Sequence, residues 1–103
     1  MTERTHPTQQ DEHLRRAVGP TDAGHQLLRL IAHRLRTDRS GDPMRKGTRE
    51  ALALRYAENR FGINTATARA AEAAFLALAP RVTDPITRGE YALLLDQAIR
   101  SAR

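Results

Sequence analysis

The chain has 103 residues, room for a single hydrophobic core. It has no cysteine, which excludes disulfides and thiolate metal sites, and no apolar run approaches the roughly 20 residues that a membrane-crossing helix needs. The formal charge is +5, from 17 Lys and Arg against 12 Asp and Glu, a balance that favours a polyanionic partner and makes an acidic one easy to recruit.

Residues 1–20 mix Thr, Gln, Glu, Arg and His with almost no apolar content and close on Gly19-Pro20. They predict a flexible or weakly helical tail, with a short helix over residues 11–18 at most. Residues 21–103 predict one helical domain. Its first helix runs over about 22–37, capped by Thr21 or Asp22, with Leu27, Leu28, Ile31 and Leu35 inward and Arg29, His33, Arg34 and Arg36 outward. Ser40-Gly41-Asp42-Pro43 is a loop by composition.

A second helix starts at Met44 or Thr48 and reaches Phe61, with Ala51, Leu54, Ala57 and Phe61 recurring at helical steps. The third covers about 65–79, with Ala68, Ala71, Phe75 and Leu78 inward, and Pro80 stops it. A fourth begins either at Thr83-Asp84-Pro85 or at the capping box Thr87-Arg88-Gly89-Glu90. Tyr91, Leu94, Leu95, Ala98 and Ile99 form its inward face, which leaves Leu93 over. No stretch alternates apolar and polar residues over strand length. The expected fold is therefore all-α, a compact bundle of three to four helices.

The most informative stretch is 60–71, Arg-Phe-Gly-Ile-Asn-Thr-Ala-Thr-Ala-Arg-Ala-Ala. Gly62 suits the left-handed conformation that ends a helix, and Asn64 suits the N-cap of the next. Two amphipathic helices meeting at so short a corner have the geometry of a DNA-reading helix-turn-helix, and also of many plain helical hairpins. Together with Ile31-Ala32-His33-Arg34-Leu35-Arg36, Ser40-Gly41 and residues 55–62, this corner resembles the DNA-binding half of GntR-type winged-helix regulators over about 40 residues.

The resemblance implies phosphate or base-edge roles for Arg55, Thr67 and Arg69. The chain also departs from that family. Leu52 and Ala53 stand where a leucine-proline-serine element is usual, Glu58 replaces a buried alanine, and Thr65 occupies the place of a contacting arginine. After Pro80 the chain is too short for the family's β-hairpin wing before helix signals resume.

Read as a DNA-binding motif, the third helix enters the major groove by its amino end. Asn64, Thr65, Thr67 and Arg69 then reach phosphates or base edges, and Arg45, Lys46, Arg49, Arg55 and Arg60 neutralise the backbone. Double-stranded DNA is the expected partner, bound by a homodimer that uses the last helix. Part of the charge has a duller origin: Lys46 is the one lysine among the 17 cations, and arginine with abundant alanine is the signature of a GC-rich bacterial genome.

Catalysis finds no support. His6, His13, His25 and His33 do not fall at metal-ligand spacing with carboxylates, no phosphate-binding glycine loop occurs, and neither a metal nor a cofactor is expected. The start of the chain lacks the apolar block of a signal peptide, so a cytoplasmic protein is expected. A second class of function stays open, a helical module that binds a protein partner, as adaptors, antitoxins and mobile-element proteins do. Arg45, Arg49, Arg55 and Arg69 on one exposed face would favour DNA; Glu50, Glu58 and Glu72 interrupting that face would favour a protein.

Overall fold

A computed structural model describes residues 20–101, and the tail, with His6 and His13, lies outside them. Four helices follow in order: α1 Pro20–Thr37, α2 Lys46–Phe61, α3 Ala66–Leu78 and α4 Arg88–Ser101. The described residues contain no strand. Their one extended pairing is an isolated antiparallel bridge between Pro43 and Thr87, which ties the loop after α1 to the start of α4.

The helix ends show how local chemistry sets the boundaries. The described part of α1 opens at Pro20, so Thr21 and Asp22 lie within the helix instead of capping it. Asp22 there faces the positive end of the helix dipole. The second helix starts between the two expected points, and Met44 leaves the helix altogether to sink into the core. Of the two devices offered for α4, the capping box operates. The Thr87 amide donates to Glu90 Oε1 at 2.8 Å and the Glu90 amide to Thr87 Oγ1 at 3.1 Å.

One core joins all four helices. Leu27, Leu28, Ile31 and Leu35 of α1, Phe75 of α3 and Tyr91 and Leu95 of α4 are all fully buried. The first helix is the hub, packing most extensively on α3 and α4, while α2 leans mainly on α3. Gly24 makes one of these approaches possible, since a Cβ there would meet the Ala74 Cβ at 2.8 Å. No polar or charged residue is buried among the described ones.

The inward face of α2 differs from the expected one. Ala53 and Ala57 are its fully buried residues, whereas Ala51 and Leu54 are exposed. Small side chains on α2, facing Ala68 and Ala71 of α3, let the two backbones close together. The leucine is then left outside. On α4 the expected face holds, with Tyr91 and Leu95 buried and Leu93 at 59% exposure.

Arg49 locks these helices. Its Nη2 donates to the carbonyls of Leu76 at 2.8 Å and Ala79 at 3.0 Å, and its Nε to that of Pro80 at 3.1 Å. These are carbonyls that the end of α3 leaves without intrahelical partners, and a cation is the favoured group there. The Tyr91 hydroxyl donates to the same Pro80 carbonyl, so α2, α3 and α4 converge on one oxygen. Burial pushes the Tyr91 phenol above its ordinary value of 10.0, with the neighbouring Arg49 pulling in the opposite direction.

Removing these donors orphans half-buried carbonyls, so Arg49→Ala is expected to cost about 2–4 kcal/mol and Tyr91→Phe about 1 kcal/mol in urea unfolding. Because the folded chain holds the phenolic proton more tightly than the unfolded one, wild-type stability falls as pH rises above 10.0. Tyr91→Phe should flatten that decline, and an unchanged slope would refute the role given to burial.

Candidate nucleic-acid interface

The corner between α2 and α3 is closed by its own hydrogen bonds. The Gly62 amide donates to the Glu58 carbonyl at 2.8 Å, ending α2, and Gly62 takes φ 101°. Its ψ of 145° is extended, not left-handed helical as expected. Asn64 supplies the left-handed step, at φ 60°. This conformation is one that asparagine tolerates better than most residues with a Cβ.

The cap of α3 is Thr65, one residue beyond the expected Asn64. Thr65 Oγ1 accepts from the Ala68 amide at 3.0 Å and donates to the Phe61 carbonyl at 2.8 Å. One hydroxyl thus stitches the last turn of α2 to the first turn of α3. It is half-buried and committed to this task.

The corner leaves the amino end of α3 open. Ile63, Asn64, Ala66, Thr67 and Arg69 are all exposed, and the Arg69 guanidinium reaches back toward the Asn64 carbonyl at 3.4 Å. Arg60, just before the corner, donates through Nε to Gln26 Oε1 of α1 at 3.1 Å. With Gln26, Leu30 and Arg29 it lines a shallow cleft at this end of the molecule. Arg29 was not among the expected contacts, because only the packing of α1 beside α2 brings it to Arg60.

The residues singled out in the sequence do not form one patch. Asn64, Thr67 and Arg69 gather at the corner. Arg45 and Lys46 are exposed at the opposite end of α2, about 22 Å away along the helix axis. There Lys46 lines a cleft with Arg49, Arg81 and Val82, which makes Arg81 a second cation that the sequence did not single out. Arg49 itself turns inward to the carbonyls at the end of α3, a correction to the surface role expected of it.

Arg55 lies between the two ends, on the outer face of α2. It shares a groove of about 600 Å³ with Thr48, Ala51, Leu54, Glu58 and Ile63. Glu58, half-buried, interrupts this face with a carboxylate, while Glu50 is exposed on α2 outside the groove.

Charge pairing is uneven across the molecule. Asp38 draws Arg34 at 3.3 Å, Arg88 at 3.7 Å and Arg39 at 4.0 Å, and Arg36 grips Asp96 at 2.8 Å. All four pairs cluster where the end of α1 meets α4. Among the described residues no carboxylate comes within ion-pair distance of Arg29, Arg60 or Arg69. Nor do the described residues contain a group of three or more His, Asp or Glu side chains arranged to hold a metal ion. No described helix is long and apolar enough to cross a membrane.

Comparison of the chain with protein-family models, with curated proteins and with solved structures gives no match to any of them.

Two substitutions test the corner. A Cβ at Gly62 would meet Thr65 Cγ2 at 2.8 Å on a backbone of positive φ, so Gly62→Ala should cost about 1–3 kcal/mol. Thr65→Ala removes the cap and should cost about 1 kcal/mol. Urea denaturation of both variants checks this, and a neutral Gly62→Ala would mean that the corner relaxes freely.

Proposed function

We propose that the protein is a small cytoplasmic DNA-binding factor of the helix-turn-helix kind, a regulator or accessory protein of a bacterium with a GC-rich genome. The observation that carries the reading is the open amino end of α3, with exposed Thr67 and Arg69 and, among the described residues, no carboxylate paired to the cations around it. The expected likeness to GntR-type domains supports it through Thr67 and Arg69.

On this reading α3 enters the major groove by its first turn. Arg69 is the principal reader, since its guanidinium can bond guanine O6 and N7 together. Asn64 and Thr67 contact phosphates or base edges, and the free amides of the first turn favour a phosphate beside them. Arg60 and Arg29 neutralise the backbone at the same end. Thr65 acts on the corner and not on the DNA. Arg45 and Lys46 at the start of α2, and Arg81 beside them in the loop after α3, stand too far from the corner to share the groove contact, and serve at most a neighbouring phosphate. With few side chains able to read bases, discrimination among sequences is modest.

A second reading, a module for a protein partner, is favoured by a different face: the apolar groove on α2, interrupted by Glu58. The two faces adjoin at Ile63, which lines the groove and stands beside Asn64 at the corner.

The test is binding to a mixed pool of short duplexes at two salt concentrations. Wild type should bind at low salt and weaken steeply as salt rises. Arg69→Ala should lose at least tenfold in affinity and lower the salt slope by about one, while Arg39→Ala, at the far end of the molecule, should leave binding nearly unchanged. Absence of wild-type binding at low salt would overturn the proposal.

A further inference from the structure

The second helix buries its alanines and exposes its leucine. Ala53 and Ala57 are fully buried, while Leu54 is 45% exposed and Ile63, just beyond the helix, 74% exposed. Both line the groove of about 600 Å³ on the outer face of α2. They are two of the four large apolar side chains exposed among the described residues, and the other two, Leu30 and Leu93, stand on separate helices. Meeting in one groove, the two side chains give a small apolar surface of the size that a weak contact covers.

The charges of the groove indicate what covers it. Arg55 and Glu58 stand one turn apart in the groove, yet they are not ion-paired with each other or with any other described residue. When two copies of a helix pack antiparallel about a two-fold axis, residue i of one faces residue j of the other and j faces i. An axis midway between residues 55 and 58 therefore sets Arg55 of each copy against Glu58 of the other, forming two ion pairs from groups that are idle in one chain. Ile63, just past the helix end, then lies at the edge of the contact, near Glu50 and Ala51 of the other copy. No second protein has to be supplied for this fit.

We propose that the outer face of α2 is a homodimer interface, with a second copy of this chain as its occupant. It differs from the expected contact through the last helix, where Leu93 alone among the large apolar residues is exposed and the rest serve the core. It also gives Arg55 a partner in the other copy in place of a phosphate. One pair of helices makes an interface at the small end of the range, so the dimer is a weak, reversible one. The inference stands apart from DNA binding and is tested without nucleic acid.

Sedimentation equilibrium of the full chain from about 1 to about 200 µM covers the range in which so small an interface associates. The wild type should be a concentration-dependent dimer. Arg55→Glu and Glu58→Arg should each weaken association at least tenfold by setting like charges together, and the double variant should recover it, because the swapped charges face each other again.

Ile63→Glu, at the most exposed apolar side chain, should also abolish association without altering the groove's own charged pair, and circular dichroism confirms that each variant keeps its helices. A wild type that stays monomeric throughout overturns the proposal. So does a double variant no better than its parents, or a dimer abolished by Leu93→Glu and indifferent to Ile63→Glu.

Discussion

The described fold depends on how the end of α3 is finished. A helix leaves its last carbonyls without intrahelical partners, and here a guanidinium from a neighbouring helix takes those of Leu76, Ala79 and Pro80. Because Arg49 belongs to α2, the bonds that finish α3 also fix the distance between the two helices. Tyr91 adds α4 by donating to the Pro80 carbonyl from within the core. Hydrogen bonds to an ionised donor are stronger than neutral ones, and these lie partly out of water. The geometry of the α2–α3 pair follows, fixed at one end by Arg49 and at the other by Thr65.

Between those two anchors α2 serves the interior with small residues. Alanine contributes little apolar area compared with leucine, so a helix that buries Ala53 and Ala57 gains close backbone approach more than hydrophobic stabilisation. Leu52, Tyr56 and Phe61 make up part of the difference from half-buried positions. Leu54 is left outside, and that surplus is what gives the molecule an apolar outer groove. Electrostatics divide the surface in a compatible way. Among the described residues, carboxylates neutralise cations where α1 meets α4 and Glu58 interrupts the outer face of α2, but none is paired with Arg29, Arg60 or Arg69. The two proposed surfaces differ in chemistry, one cationic and the other apolar with charges of both signs.

Much of the helix content was readable. The heptad-like recurrence of Leu27, Leu28, Ile31 and Leu35 places α1 and its buried side, and the Thr87 to Glu90 capping box starts α4 where its spacing requires. The corner was readable in outline and missed in detail. Asn64 and Thr65 are both good caps, and the choice fell to Thr65 because Asn64 takes the left-handed step that the turn needs, leaving its neighbour extended at φ −91° and ψ 156°. The face of α2 was misread because Ala51, Ala53, Leu54 and Ala57 satisfy more than one helical stripe. Hydrophobic periodicity weighs a leucine above an alanine, whereas close packing on α3 selected for size.

The sequence by itself determined that this is an all-α chain with helix ends close to those seen, since capping, proline placement and periodicity act within a few residues and need no distant partner. It also determined the tight corner, through Gly62 and the polar residues after it. Tertiary structure alone decided that Arg49 turns inward, that Arg29 comes to Arg60, and that Leu54 is exposed. Each of these outcomes depends on groups tens of residues apart meeting in space, where carbonyl geometry and the fit of side-chain volumes outweigh local preference.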